Sequence, residues 1–237
     1  MTAVSVFSNI KVLKRKPSAA SILNSLGTGH FFSSRKNVVA KNDFGYSEKI
    51  PEHIRDIYMW LCQDVVSLQQ KWDFWLEVFG KKENTDLLSE LAPASFNIIL
   101  ETLQNDVTMA ICRVSDPPKS MGKENLSLAT LAKNCPEIDG LERLVTEFQK
   151  ICEPVRQRRN KRVGHRDLNS VIKPLENPLQ GISKEQIDTI VKSAADILNF
   201  VIQKYESVEM NFHMVSPGGA PSLIFWLKTG KASKNRA

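Results

Sequence analysis

Apolar positions recur along most of the chain at the spacing of one helical face. After Pro51, the residues Ile54, Tyr58, Leu61, Val65, Leu68, Trp72, Trp75 and Phe79 follow at alternating steps of four and three, and Gly80 closes the run. That is a heptad-type stripe on one long helix, with Pro51 at its first position. A second stripe, Phe96, Ile99, Leu100, Leu103, Val107, Ala110, Ile111 and Val114, begins after Pro93 and must stop before Pro117-Pro118, because proline removes an amide donor and restricts the residue before it. Leu126, Leu128 and Leu131, with Asn125 or Ser127 as a cap, predict a short helix. Pro136 opens a third long segment carrying Ile138, Leu141, Leu144, Val145, Phe148, Ile151, Cys152 and Val155, in which Pro154 is expected to produce a kink. Ser183 and Gln186 form a capping-box pattern ahead of the last stripe, Ile187, Ile190, Val191, Ala194, Ile197, Leu198, Val201, Ile202 and Tyr205. No comparable run of alternating β-branched residues appears, apart from the short Ser222–Leu227 stretch. Four long amphipathic segments with mostly short connections predict an all-α fold, an antiparallel four-helix-type bundle with one or more short accessory helices.

Composition narrows the classes further. The chain has 237 residues, enough for one buried core without disulfides or metal to support it. No run from the hydrophobic class exceeds the five residues of Tyr58–Cys62, far short of the ~20 that span a bilayer. Cys62, Cys112, Cys135 and Cys152 form no C-x-x-C pair, and His30, His53, His165 and His213 show no H-E-x-x-H or paired metal spacing. The cysteines read as reduced core residues of a cytoplasmic protein, with no metal site and no cofactor expected.

Charge is unevenly placed. Of 32 Lys and Arg, seven fall in residues 1–42 without a single acid, so residues 43–237 carry 25 bases against 26 acids. The net charge of +6 therefore describes the beginning of the chain and does not mark the rest as nucleic-acid binding. Residues 1–45, basic and rich in serine, are expected to be a disordered extension or to lie upstream of the true start. Residues 46–230 are expected to form the helical domain and 231–237 a basic tail.

One segment concentrates candidate chemistry. Arg156, Arg158, Arg159, Lys161, Arg162 and Arg166 place six bases in eleven residues, with Asn160 and His165 among them. On an otherwise acidic body, this makes a local phosphate-attracting site. Bases near a helix end also oppose its dipole on a plain solvated face, a reading that suits Arg156 and Arg158. Arg159, Asn160 and His165 ask for more, because they combine a permanent cation, an amide and the side chain that titrates near neutral pH.

Arg159-Asn160, four residues and then His165 resemble the R-[polar]-x(3–5)-H motif of the HEPN superfamily. Asp106–Val114, Ser115-Asp116-Pro117-Pro118, Gly122–Leu128 and Gly218–Leu223 further resemble its AbiU-type abortive-infection branch, the likeness covering roughly residues 50–230. The resemblance implies a four-helix-bundle ribonuclease of a toxin–antitoxin or phage-defence system, working as a homodimer, with a cognate antitoxin as a possible partner. RNA carries its own nucleophile, the 2′-hydroxyl, so cleavage needs a base, a cation for the phosphorane and an acid for the leaving oxygen. His165 is the expected acid or base, Arg159 the cation and Asn160 the orienting amide, while Arg156, Arg158, Lys161, Arg162 and Arg166 are expected to bind the RNA backbone. The alternative is a non-catalytic module that binds RNA or a partner protein through the same segment. Six residues of regular helix turn a side chain through about 600°, leaving Arg159 and His165 roughly 120° apart. Either the helix is distorted or ended near Gly164, or a second copy completes the site.

Overall fold

The computed structural model describes residues 49–164, 168, 172, 181–213 and 218–234. The expected N-terminal extension lies outside the described residues, as do His165 and Arg166 of the motif segment. The elements are α1 (Glu52–Phe79), α2 (Lys82–Leu91), α3 (Pro93–Ser115), a two-stranded hairpin β1 (Lys119–Ser120) and β2 (Lys123–Glu124), α4 (Leu128–Lys133), α5 (Leu141–Arg158), a π-helical turn (Arg159–Gly164), α6 (Lys184–Tyr205) and α7 (Ala220–Lys234). The fold is all-α, and the small hairpin is the one β element among the described residues. No helix among the described residues is long and apolar enough to cross a membrane.

Four long helices build the core. α1 neighbours α3, α3 neighbours α5, α5 neighbours α6, and α6 returns to α1. Their apolar faces meet as the periodicity predicts: Ile54, Tyr58, Leu61, Val65, Leu68 and Trp72 of α1 are buried with Val107, Ile111 and Val114 of α3, Val145, Phe148, Cys152 and Val155 of α5, and Ile190, Ala194, Leu198 and Val201 of α6. The first half of α3 departs from expectation. Ile98 and Ile99 are exposed, and Phe96 packs instead against a second, smaller cluster of Val78, Leu88, Ala220 and Ile224.

That second cluster explains α7. Its continuous run Leu223–Leu227 has no helical period, yet Ala220 and Ile224, one turn apart, seat it against α1 and α2. Lys228 and Lys231 then pair with Glu83 and Glu90 of α2. Helix α7 carries the chain as helix past residue 230 to Lys234.

Local signals fix the element ends. Pro93 takes the first turn of α3, and the chain leaves the helix at Asp116, ahead of Pro117. Ser127 caps α4, accepting from the Thr130 amide at 3.2 Å; Asn125 instead braces the hairpin by donating to the Pro117 carbonyl at 2.8 Å. The hairpin turns through Met121 (φ 48) and Gly122 (φ 81), the left-handed pair of a two-residue turn. Helix α5 starts at Leu141 rather than Pro136, because Gly140 takes a left-handed conformation (φ 81) and residues 135–141 form two successive four-residue turns, closed by the Ile138 amide on the Cys135 carbonyl and the Leu141 amide on the Ile138 carbonyl. It then runs through Pro154.

The capping box at α6 is complete: the Ser183 hydroxyl accepts from the Gln186 amide at 3.2 Å, and the Gln186 side chain accepts from the Ser183 amide at 2.7 Å. Ser183→Ala removes the cap acceptor and should cost about 1 kcal/mol in urea unfolding.

All four cysteines are free and buried. Burial pushes the thiols of Cys62 and Cys152 up to about 12 and that of Cys135 up to about 11, each from 9.0. A raised thiol value means that the native state holds its proton while the unfolded chain releases it. This contribution to stability is complete below pH 9 and declines as pH rises toward 12. At pH 8 the native protein should therefore resist alkylation at these thiols, while denatured protein reacts at once, as a thiol-reactive chromophore would report.

Candidate functional site at the α3–α5 corner

The basic segment lies where α3 and α5 end side by side. The last carbonyls of α3 have no partner within their own helix, and side chains of α5 reach across to satisfy them. Arg156 Nη1 and Gln149 Nε2 both donate to the Ser115 carbonyl, at 3.0 and 3.2 Å. The same Arg156 nitrogen lies 3.0 Å from Asp116 Oδ1, and its Nε lies 3.9 Å from Glu153. Arg156, expected from its position to bind RNA, is thus a clamp between two helix ends.

Arg159 shares that carboxylate. Its Nη2 stands 3.6 Å from Asp116 Oδ1, and the Cys112 thiol lies against the guanidinium. Burial raises the Cys112 thiol and the adjacent cation works against the rise. The Nε–H of Arg159 is buried with no acceptor among the described residues. An unpaired buried donor costs roughly 1–3 kcal/mol, and this one belongs to a side chain that is still 27% exposed.

The backbone changes form at the same residue. Helix α5 runs as α-helix to Arg158, and Arg159–Gly164 then wind as a π turn, a rare geometry with i→i+5 bonds that recurs at functional sites. The roughly 120° separation deduced for a regular α-helix no longer applies to this segment. Gly164 is not in the left-handed region that would mark a glycine helix cap, and a Cβ there would meet the Arg159 carbonyl oxygen at an ordinary 3.5 Å. The distortion thus begins at Arg159 rather than at the glycine. Along the turn, Asn160, Lys161 and Arg162 are exposed, as is Arg158 just before it. The structure brings Arg156, Arg158, Arg159, Asn160, Lys161 and Arg162 to one corner; His165 and Arg166 lie outside the described residues.

Asp116 is the site residue to which the sequence pattern assigns no role. It is fixed at the end of α3, its amide bonded to the Arg113 carbonyl, with Pro117-Pro118 behind it. Its one sequence signal is an acid directly before two prolines at a helix end.

Two clefts lie on the helical domain. One of about 1010 Å³ lies between α4 and α5, bordered by Pro118, Lys133, Arg143 and Gln149. The other, about 600 Å³, follows the groove between α1 and α6 on the far side of the helix ring. There Asp73, Asp188, Asp196 and Glu209 outnumber Lys192 and His213. Trp72 Nε1 donates to Asp188 at 2.6 Å, and His213 Nδ1 lies 3.2 Å from Asp73. The α3–α5 corner thus carries mostly basic side chains and the groove between α1 and α6 mostly acidic ones.

No curated protein and no solved structure matches the chain. The family model of the HEPN protein AbiU2, in contrast, matches residues 51–213, a span that runs from the start of α1 past the end of α6 and takes in the whole motif segment. The chain, an abortive-infection-related HEPN module, belongs to the AbiU2 family.

Proposed function

We propose that the protein is an endoribonuclease that cleaves RNA by attack of the 2′-hydroxyl on the adjacent phosphate, acting in phage defence as an abortive-infection or toxin–antitoxin toxin. The observation that carries this reading is the α3–α5 corner itself: a half-buried arginine at the first residue of a π turn, followed by an exposed amide and flanked by exposed bases. Arg159 binds the phosphoryl oxygens and stabilises the charge that grows on them, Asn160 orients phosphate or imidazole through its amide, and His165 transfers protons. The nucleophile belongs to the substrate, so these groups suffice without a metal. The four buried free thiols support a cytoplasmic setting.

A homodimer is part of this reading. One histidine per chain must serve as base and as acid, and two chains facing each other across a twofold axis near residues 156–165 supply one for each task. The two basic segments repel, so the interface has to rest on nearby apolar positions such as Ile151 of α5, which is 39% exposed. A cognate antitoxin would act by covering the same corner.

The deciding experiment incubates purified protein with total RNA in EDTA. The expected products end in 2′,3′-cyclic phosphate. RNA that is retarded in a gel but left intact would replace this reading with the non-catalytic binding module. Within the same assay, neutralising Arg158 or Lys161 should weaken RNA binding and flatten its salt dependence by about one unit of slope for each phosphate no longer neutralised, with cleavage of bound RNA preserved.

A further inference from the structure

Arg159 and Arg156 both rest on a single oxygen of Asp116, at 3.6 and 3.0 Å. Two guanidinium groups drawn to one atom would repel each other without the carboxylate between them. The carboxylate is itself held in place, since the Asp116 amide bonds back to Arg113 and two prolines follow. The Arg159 side chain interacts with the Cys112 thiol, and its Nε–H is buried with no acceptor among the described residues. An arginine free to choose would move that donor into water, so something holds the side chain down, and among the described residues the ion pair to Asp116 is the charged contact in place to do so.

We propose that Asp116 is the positioning residue for Arg159: its carboxylate fixes the guanidinium at the mouth of the site, with one edge turned to the protein and the other left for phosphate. This rests on the role given to Arg159 above and names the group that makes that role possible. Asp116 does not touch the reacting atoms. It acts by holding the cation where charge develops, so that no reorganisation is needed during the reaction.

The effect of removing the carboxylate separates positioning from plain electrostatics. Asp116→Asn deletes a negative charge from a basic corner, which by itself strengthens attraction for RNA and lowers KM. Loss of position acts in the other direction and on another constant, because a misplaced catalytic group slows turnover of bound substrate. The expected result for Asp116→Asn is a kcat lower by about 10–100-fold with KM unchanged or reduced. Asp116→Glu, which keeps the charge, should recover most of the loss.

A second measurement needs no activity. In wild-type protein the buried Arg159 Nε–H should give a resolved, slowly exchanging resonance in a ¹H–¹⁵N spectrum, identified by its absence in Arg159→Lys. It should vanish or exchange rapidly in Asp116→Asn and return in Asp116→Glu, while the backbone amide pattern shows that both variants are folded. A resonance unchanged in Asp116→Asn overturns the proposal, and so does an unchanged kcat in a variant whose resonance is lost. Wild-type protein that leaves RNA intact would instead overturn the ribonuclease reading, and the resonance would still decide whether Asp116 places Arg159.

Discussion

Arg159→Ala and His165→Ala should each lower RNA turnover by roughly 10²–10⁴-fold, the range for losing an acid–base group or one electrostatic donor of the transition state. The two losses have different origins. Without His165 the 2′-hydroxyl keeps its proton or the 5′-oxygen leaves without one; without Arg159 the extra charge on the phosphoryl oxygens is met by water. The fold should survive the loss of Arg159, because Asp116 keeps Arg156 at 3.0 Å and exposed or half-exposed ion pairs contribute about 1 kcal/mol or less. Single-turnover cleavage measured beside thermal melts would separate lost chemistry from lost structure. Mixing the two variants adds the test of a shared site: a heterodimer can rebuild at most one intact Arg–His pair and keeps a single His165, so a site that needs both histidines should stay silent, and activity regained would assign both proton transfers to one histidine paired with the arginine across the interface. Cleavage that survives His165→Ala would end the proposed mechanism.

The largest effect on stability is expected at Phe148. It is only 2% exposed and sits in the middle of α5, the helix that neighbours α3, α4 and α6 at once. Val145 and Cys152 lie one turn to either side of it, both buried. Phe148→Ala would open a cavity that none of these helices can close without leaving another partner, so the loss should be about 3–5 kcal/mol. Against a total of about 5–15 kcal/mol for a typical domain, that is a large share. Urea unfolding should show a lower midpoint with an unchanged slope. Since α5 leads directly into the π turn, RNA binding should fail at the denaturant concentration at which the helix ring opens.

The contrast between Phe148 and Asp116 shows which features a sequence records. Phe148 belongs to a stripe of period 3.6, and burial of such a stripe follows from the chain alone; the same holds for Tyr58, Ile111 and Leu198, and for the capping box at Ser183. Where burial depends on what else is nearby, the pattern misleads. Ile99 belongs to an equally regular stripe yet is exposed, while the aperiodic Leu223–Leu227 run is helical because α1 and α2 offer Ala220 and Ile224 a surface. The hairpin has a faint signature, a left-handed pair at Met121-Gly122, and methionine rarely announces one. At the site, the basic residues are legible as composition and Arg159-Asn160-x4-His165 as a resemblance. Asp116 is not, since it reaches Arg159 from another helix, and no local spacing records such a contact.

A regular helix ties the direction of every side chain to its core face by a rotation of about 100° per residue. The π turn at Arg159–Gly164 cuts that tie just after Val155, the last buried anchor of α5. Residues of the turn are aimed by local winding, and the buried stripe of α5 has no stake in how many of them there are. One residue more or fewer between the arginine and the histidine could be absorbed by overwinding or unwinding this turn, with Cys152 and Val155 left in register. A motif written with a polar residue and three to five further positions between arginine and histidine is what such mechanical slack looks like in sequence: packing dictates where the arginine stands, and the length of the stretch behind it is free to drift.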